Sequence, residues 1–307
     1  MELVRGLGAL RDGHRGCVAT LGTFDGIHLG HATLIREAVA CAARLSRHTM
    51  LLTFEPMPRE YLQPADPPAR LTNFRERWRL LERSGIDSLC VLHFDAALRS
   101  MSGEQFIRTL HADLRVAALV VGHDFRFGRD GAASAVMLEA AGQRLGFEVM
   151  VLPPVLAGAE RISSSTVRTA LAEGRFGDAR ELLGRAYTMR GRVVGGERLG
   201  RTLGYPTANL LLRRQRSPIE GVFAVRAHGI RPSPLDAVAS LGTRPTVAGR
   251  VPLLETHVFD FAGDLYGREI EVEFVRKIRD EAHFDSLDAL VAQMDRDAST
   301  ARAALAG

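Results

Sequence analysis

The segment Leu21-Gly-Thr-Phe-Asp-Gly-Ile-His-Leu-Gly-His31 decides the fold of the first half of the chain, because it joins an apolar strand to an amphipathic helix. The strand is expected at Cys17–Leu21 and the helix at His31–Ser46. Glycines let the backbone run close to a ligand, and the unpaired N–H groups of a helix start attract anions. His28 and His31 stand at this start and can donate hydrogen bonds to phosphates. The segment therefore predicts a nucleotide phosphate site where the first strand ends.

The same alternation of strands and helices continues to about residue 184. A helix is expected to begin at Thr72, and Ser102 and Gln105 form an S-x-x-Q capping box for another. A proline-rich loop is expected at 56–68. Four further strands are expected, at Thr49–Phe54, Ser88–Leu92, Ala117–Val121 and Glu148–Leu152. This order predicts an α/β domain with a parallel sheet, whose ligands bind beyond the carboxyl ends of the strands.

The second half of the chain has the periodicity of short antiparallel strands. Five are expected, at Tyr187–Val194, Gly221–Ala227, Ala237–Leu241, Leu254–Phe259 and Glu269–Phe274. Turn residues separate them, which favours a small antiparallel β-barrel or sandwich. A terminal helix follows a cap at Asp285 or Ser286 and presents Leu287, Leu290, Val291 and Met294 on one face. The predicted domains are residues 1–184 and 185–307.

The composition is that of a soluble globular protein, with 46% apolar and 25% charged residues. No signal-peptide pattern opens the chain, and no apolar run reaches the length of roughly 18 residues that a membrane span needs. Cys17, Cys41 and Cys90 are widely spaced among apolar neighbours, which is typical of buried thiols in a reducing compartment. We therefore expect a cytoplasmic protein without a membrane partner.

The formal net charge of +4 suits polyanionic ligands such as nucleotides. Lys277 is the only lysine, and it follows no glycine-rich loop. A P-loop and a protein-kinase fold each need a lysine against the phosphates, so the sequence excludes both ways of binding ATP.

A second glycine-rich segment, Gly191-Arg-Val-Val-Gly-Gly-Glu-Arg-Leu-Gly-Arg-Thr-Leu-Gly-Tyr-Pro-Thr-Ala-Asn209, opens the second half. Its glycines, among them Gly196, Gly200 and Gly204, can wrap phosphates through backbone N–H groups. The side-chain oxygens of Thr207 and Asn209 suit Mg²⁺, which is usually held together with ATP phosphates.

The first segment resembles the H-x-G-H motif of nucleotidyltransferases and, as G-x-F-D-G-x-H-x-G-H, the form found in prokaryotic FAD synthetases. Thr53-Phe-Glu-Pro56, Val121–Gly128 and Arg161–Arg168 resemble three more segments of that family. In that family these segments surround ATP and the phosphate of FMN. The resemblance implies that the catalytic histidines are His28 and His31 and that ATP or phosphate contacts Gly22, Phe24, Asp25, Gly30, Asp124, Arg161, Ser163, Ser164 and Arg168. The departures from the family pattern are Gly131, Ala133 and Met57.

The second segment resembles the riboflavin kinase signature ending in P-T-A-N. Gly221–Val225, Leu241–Thr246, Leu254–Phe261 and Arg279–Phe284 resemble further segments of that family. The resemblance implies a catalytic base at Glu255 and flavin contacts at Arg279 and Phe284. It also implies that ATP phosphates are bound by Gly196, Gly200, Gly204, Thr207 and Asn209, the last two with Mg²⁺.

Together the motifs resemble, over essentially the whole chain, the prokaryotic bifunctional riboflavin kinase/FAD synthetase family. The resemblance implies a Rossmann-like nucleotidyltransferase domain and a kinase barrel. It implies phosphorylation of riboflavin to FMN with ATP and Mg²⁺, then adenylylation of FMN to FAD with release of pyrophosphate. The residue types agree, because an alcohol acceptor needs a base such as Glu255, whereas a phosphate acceptor is already ionised.

Two other interpretations stay open. The first domain could adenylylate another acceptor, such as a phosphopantetheine-like or pyridine-nucleotide precursor, although the P-T-A-N segment argues against it. The basic barrel could instead bind nucleic acid. Aromatic residues make up only 6% of the chain and do not alternate with basic ones, so we expect no nucleic-acid partner.

Overall fold

The computed structural model describes residues 1–195, 204–246 and 249–306. Contacts divide the chain into two units. The first unit comprises Met1–Pro68 and Arg77–Ser163, and the second comprises Ala69–Glu76 and Ser164–Gly307. The predicted domain boundary near residue 184 separates two activities. A division of the chain by contacts does not test that boundary.

The first unit is built on a six-stranded parallel sheet in the order β1-β4-β3-β2-β5-β8. The strands are β1 Glu2–Arg5, β2 Val18–Leu21, β3 Thr49–Glu55, β4 Ser88–His93, β5 Ala118–Gly122 and β8 Glu148–Leu152. The expected α/β fold is therefore confirmed. Since β3 and β5 flank β2 on opposite sides, the winding of the sheet reverses between β2 and β5.

Helices and short hairpins connect these strands. The helices are α1 Leu29–Leu45, α2 Pro58–Leu62, α3 Phe74–Glu82, α4 Ala96–Ser100, α5 Gly103–Ala112 and α6 Ala135–Leu145. Two hairpins pair β6 Arg126–Phe127 with β7 Ala133–Ser134, and β9 Leu156–Ala157 with β10 Glu160–Arg161. The capping box before α5 is present, with Ser102 N donating to Gln105 Oε1 at 2.8 Å and Gln105 N donating to Ser102 Oγ at 3.2 Å. The three cysteines are free and buried, as expected.

Strand β1 and helix α2 are among the elements of the first unit that were not expected from the sequence. Strand β1 lies at the sheet edge and exposes Glu2 and Arg5, and edge strands are commonly short and charged. Helix α2 replaces part of the loop expected at 56–68. Pro58 favours its first turn, and the backbone N–H of Met57 donates to Glu60 at 3.1 Å.

The second unit is a closed antiparallel barrel with strand order β11-β12-β15-β14-β13-β16, so the barrel rather than the sandwich is confirmed. Its strands are β11 Thr188–Val194, β12 Ala208–Leu211, β13 Gly221–His228, β14 Leu235–Thr246, β15 Gly249–Val258 and β16 Glu269–Arg279. Two helices precede the barrel, α7 Ser164–Ala172 and α8 Phe176–Leu183. Helix α8 packs on the barrel through Phe176, whose ring centroid lies 5.8 Å from that of Phe223.

The terminal helix α9 spans Leu287–Leu305, and its cap is Ser286, one of the two expected positions. Three residues of the expected face, Leu290, Val291 and Met294, are half-buried, whereas Leu287 is 57% exposed. Ala301 and Leu305 are buried instead, in a cluster with Phe259. Small alanines let the helix backbone approach the barrel closely, so the packing face forms in the second half of the helix. In the described part of the chain, no helix is both long and apolar enough to cross a membrane.

A buried ion pair attaches the segment Ala69–Glu76 to the barrel. Arg214 Nη2 donates to both carboxylate oxygens of Glu76, at 2.9 and 2.7 Å, and the two side chains are 0% and 9% exposed. Glu76 also accepts the backbone N–H groups of Arg190 and Asn73. Burial raises the pKa of Glu76, although the charge of Arg214 and these N–H groups act against the rise. The carboxylate is therefore held by four donated hydrogen bonds.

Replacing Glu76 by alanine is expected to destabilise the second unit by about 3 kcal/mol or more, because Arg214 keeps its charge without this partner. The free energy of unfolding, measured by calorimetry and urea denaturation, checks the effect. A double variant with Glu76→Leu and Arg214→Met should recover most of the lost free energy of unfolding. A single variant as stable as the wild type would show that the ion pair contributes nothing.

Candidate active sites

The reversal of winding between β2 and β5 defines a crevice at the carboxyl ends of these strands. The segment Gly22–His28 follows β2, and the predicted site residue Asp124 follows β5. In open α/β sheets, ligands bind outside the carboxyl ends of the strands where the strand order reverses. The fold thus brings two of the predicted segments to the place where a ligand of this sheet is expected.

The two histidines lie against each other at the start of α1. Their rings are stacked with centroids 3.7 Å apart. His28 is the cap of α1, and its Nδ1 accepts the backbone N–H of His31 at 3.3 Å. Since Nδ1 is the acceptor, neutral His28 carries its proton on Nε2, which can donate to an anion.

Gly30 allows this stacking. A Cβ at Gly30 would lie 3.1 Å from the His28 ring and 3.6 Å from the carbonyl oxygen of Ile162. The segment Arg161–Ser163 therefore passes beside the start of α1 within the first unit. This places two more predicted site residues next to the histidines.

The loop before the histidines has an unusual backbone. Phe24 and Ile27 have φ angles of 49° and 43°, which are uncommon for residues other than glycine. Phe24 is 0% exposed and its ring centroid lies 4.9 Å from that of His31, while Asp25 is 1% exposed. A Cβ at Gly22 would come within 3.2 Å of the Phe24 ring. The Phe24 ring therefore lies between Gly22 and His31. We call Gly22–His31 the histidine loop.

The environment of His31 keeps it neutral. Burial, together with the nearby charges of His28 and Arg77, lowers its pKa well below the ordinary value. Its Nδ1 is buried and has no hydrogen-bond partner in the described part of the chain. A bound phosphate can supply the missing partner.

Asp124 and Arg161, both predicted from the sequence, form an ion pair in which Arg161 Nη2 lies 2.5 Å from Asp124 Oδ2. Burial raises the pKa of Asp124, but the hydrogen bond and charge of Arg161 outweigh it, and the pKa falls below its ordinary value. Each side chain is about half exposed, at 50% and 45%. The pair is therefore accessible to a ligand.

Ser164 and Arg168 stand on α7, in the second unit. Arg168 Nε donates to the carbonyl oxygen of Ala69 at 2.6 Å, and this bond directs the side chain toward the segment Ala69–Glu76. The structure thus groups these two predicted residues with the barrel unit, whereas Ser163 closes the first unit.

The barrel contains a cavity of about 650 Å³. Its lining includes Val193, the segment 206–209, Thr256, Val258 and the segment 261–266. Thr207 and Asn209 both line it. Asn209 Oδ1 and Thr256 Oγ1 are buried and have no hydrogen-bond partner in the described residues. Buried polar atoms without a partner are rare, and a ligand bound beside Asn209 can satisfy its Oδ1. Thr256 lies opposite Ala208 in the β12–β15 ladder, and its hydroxyl is therefore on the other face of the strand.

Glu255 lies directly across the β12–β15 ladder from Asn209 and across the β14–β15 ladder from Ser240. Opposite residues of an antiparallel pair point to the same face. The predicted base and the predicted metal ligand Asn209 therefore share a face of the barrel, in a register that brings their Cβ atoms to roughly 5 Å.

The loop that carries Thr207 is held at two points. His257 Nδ1 donates to the carbonyl oxygen of Pro206 at 2.9 Å. The hydroxyl of Tyr205 donates to Asp295 of α9. Gly204, with a φ of 85°, allows the turn before them. The other predicted glycines of this segment, Gly196 and Gly200, lie outside the described residues.

Arg279 and Phe284, predicted to contact the flavin, lie together, with the guanidinium carbon 5.6 Å from the ring centroid. Arg279 Nη2 also donates to Asp297 of α9 at 2.7 Å, which fixes the orientation of the guanidinium. Close by, burial and the charges of Glu220 and Glu255 raise the pKa of Glu281.

Several residues around these sites had no signal in the sequence. In the sequence, Asp295 and Asp297 fit solvent-exposed positions of an amphipathic helix. Their contacts with Tyr205 and Arg279 are seen only in the folded barrel. Thr256 follows Glu255 in the sequence, and alternate residues of a barrel strand face the interior. The sequence could therefore have indicated that Thr256 faces the interior. Its buried hydroxyl becomes evident only with the cavity.

Comparison with known proteins agrees with the two sites. The family model described as FAD synthetase matches residues 10–166, and the model described as riboflavin kinase matches residues 183–305. The fold and sites thus define a two-domain protein that joins an FAD synthetase domain to a riboflavin kinase domain.

Curated relatives match the chain over nearly its whole length. Bifunctional riboflavin kinase/FMN adenylyltransferases of Escherichia coli K12 and Haemophilus influenzae are 44% and 42% identical to this chain. The matches cover 98% of this chain and 97% of the first relative, and 99% of both chains for the second. The chain therefore belongs to the bifunctional riboflavin kinase/FMN adenylyltransferase family.

A solved structure, described as a macrolide-efflux protein from Streptococcus pneumoniae, has the same architecture. It is 34% identical, with a TM-score of 0.83, and the match covers 98% of this chain and 99% of that one.

Proposed function

We propose that this chain phosphorylates riboflavin to FMN in its barrel and adenylylates FMN to FAD at the histidine loop, using ATP in both reactions. The domain division proposed for these activities is 1–184 and 185–307. The observation that carries the proposal is the presence of two sites, each with a buried polar atom that has no hydrogen-bond partner among the described residues. These atoms are His31 Nδ1 in one site and Asn209 Oδ1 in the other.

Adenylyl transfer joins two anions. An oxygen of the FMN phosphate attacks the α-phosphorus of ATP, and the bond to the β-phosphate oxygen breaks to release pyrophosphate. The acceptor is largely ionised at pH 7, so no base is needed. The site must instead position the anions and stabilise the developing charge. His28 Nε2 and His31 are placed to donate to the phosphates at the start of α1, where the helix dipole adds to the attraction.

Further residues are proposed for adenylyl transfer. Gly22, Phe24, Asp25 and Gly30 set the shape of the histidine loop. Asp124 and Arg161 supply a fixed charge pair across the crevice. Ser163, Ser164 and Arg168 are proposed as further phosphate contacts, on the resemblance of their segment to the family motif.

The kinase reaction needs a base. The 5′-hydroxyl of the ribityl chain attacks the γ-phosphorus of ATP, the bond to the β-phosphate oxygen breaks, and the hydroxyl proton must leave. Glu255 is proposed to accept this proton, because it shares a barrel face with Asn209. Arg279 and Phe284 are proposed to hold the isoalloxazine ring, and Gly196, Gly200 and Gly204 the phosphates of ATP.

Mg²⁺ fits the residues around the kinase cavity. Asn209 Oδ1 is a buried oxygen without a hydrogen-bond partner in the part of the chain that the structure describes, and Thr207 lines the same cavity. Oxygen donors of this kind suit Mg²⁺, which takes most of its ligands from phosphates and water. When bound, the ion would neutralise charge on the ATP phosphates. Thr207 and Asn209 would hold it and orient ATP toward Glu255.

Replacing Asn209 by alanine is expected to raise the Mg²⁺ concentration that gives half-maximal kinase activity by about tenfold or more. The reason is the loss of one oxygen ligand from a site that offers few. Kinase turnover measured against Mg²⁺ at saturating ATP checks this. Adenylylation of added FMN by the same preparation serves as the control and should not change. An unaltered Mg²⁺ dependence would remove Asn209 from the metal site.

The proposed partners are the small molecules ATP, riboflavin and FMN, without nucleic acid. We infer a cytoplasmic location, since the three cysteines are free and buried. The alternative in which the histidine loop adenylylates another acceptor is tested by offering phosphopantetheine and nicotinamide mononucleotide in place of FMN. Turnover with either that exceeds turnover with FMN would favour that alternative.

A further inference from the structure

Arg77 of α3 is a fully buried charge beside the histidine loop. Its side chain is 0% exposed. Nη1 donates to the carbonyl oxygen of Thr23 at 2.8 Å, and Nη2 donates to Glu55 Oε2 at 3.0 Å. The three residues belong to the same unit. Arginine is seldom fully buried unless it is paired, so its position calls for a specific role.

The carbonyl of Thr23 immediately precedes the part of the loop with unusual backbone. Phe24 and Ile27 have positive φ angles, which persist only where the surroundings hold them. The Thr23 carbonyl accepts a second hydrogen bond, from Thr53 Oγ1 at 3.2 Å. Arg77 and Thr53 thus fix the chain just before Phe24, whose ring packs against His31.

The charge of Arg77 also acts on His31. Burial and the nearby His28 lower the pKa of His31, and the charge of Arg77 lowers it further. A guanidinium is always charged at neutral pH, so this influence is constant. Arg77 is therefore connected to the histidines by a hydrogen bond through the loop and by its charge.

We propose that Arg77 is a positioning residue for adenylyl transfer, which fixes the histidine loop through its hydrogen bond to the carbonyl oxygen of Thr23. It does not contact the reacting groups itself. This proposal rests on the assignment of adenylyl transfer to the histidine loop.

Replacing Arg77 by methionine keeps much of the volume and removes both the charge and the donors. The rate of FMN conversion to FAD is expected to fall by about a hundredfold, the usual effect of a small misplacement of catalytic groups. Kinase turnover by the same preparation should be unchanged. Arg77→Lys keeps the charge and can reach the same oxygens, so it should retain more activity than the methionine variant. Arg79→Met, on the exposed side of the same helix, should behave as wild type.

Histidine titration by NMR separates positioning from a merely structural role. The pKa of His31 should rise in Arg77→Met and stay unchanged in Arg79→Met. If the methionine variant does not fold, Arg77→Gln carries the same test, since it is a neutral donor. Normal FAD formation in the Arg77 variants would overturn the proposal. Equal losses in the lysine and methionine variants with an unchanged His31 titration would also overturn it. If FAD formation survives loss of both histidines, the site assignment itself fails instead.

Discussion

Replacing His28 and His31 together by alanine is expected to lower the conversion of FMN to FAD by about a thousandfold or more. Loss of a single donor that stabilises developing charge typically costs 10²–10³ in rate, and this variant removes two. The structure gives the reason, because the stacked rings stand at the start of α1, and His31 Nδ1 is buried with no hydrogen-bond partner among the residues described. Chromatography of the flavins formed from added FMN and ATP measures the effect.

The double variant should still convert riboflavin to FMN at the wild-type rate, since that reaction is assigned to the barrel. His111→Ala serves as a control, because His111 is an exposed histidine of the same unit outside the crevice. It should leave both activities unchanged. A double variant with a normal yield of FAD would contradict the assignment of the histidines.

Replacing Glu255 by glutamine is expected to lower kinase turnover by about a hundredfold or more, the usual scale of general-base catalysis. Glutamine keeps the shape of the side chain and cannot accept the hydroxyl proton. The affinity for riboflavin should change much less, because the lost interaction acts mainly in the transition state. Kinase turnover at saturating riboflavin, together with riboflavin binding, measures the two effects separately.

Adenylylation of added FMN by this variant should stay close to wild type. Glu269→Gln is a suitable control, since Glu269 is a carboxylate of barrel strand β16 that pairs with Arg190 at 3.3 Å. Wild-type kinase turnover in Glu255→Gln would show that another group takes the proton. Loss of both activities would show that Glu255 supports the structure rather than the reaction.

Local patterns were sufficient to predict much of the architecture. The apolar runs at 17–21, 49–54 and 88–92 are strands of one parallel sheet, because a buried strand needs apolar residues on both faces. The segment Leu21–His31 contains enough glycines and helix-start residues to be recognised as a turn between strand and helix. The regular short strands of the second half likewise predicted the barrel.

Features that depend on distant residues could not be predicted in the same way. Leu287 fits the apolar face of α9 by periodicity, yet the barrel meets the helix further along, at Ala301 and Leu305. Arg77 has the pattern of a solvated helix position, and its burial follows from Thr23 and Glu55, which are remote in sequence. Such contacts are decided by tertiary packing, which overrides the local pattern.

The central claim is that one chain carries both reactions. Its most direct test is to incubate the purified protein with riboflavin, ATP and Mg²⁺ and to separate the flavins over time. We predict that FMN appears first and FAD follows, with ADP and pyrophosphate as the other products. Formation of neither FMN nor FAD by the folded protein would contradict the account.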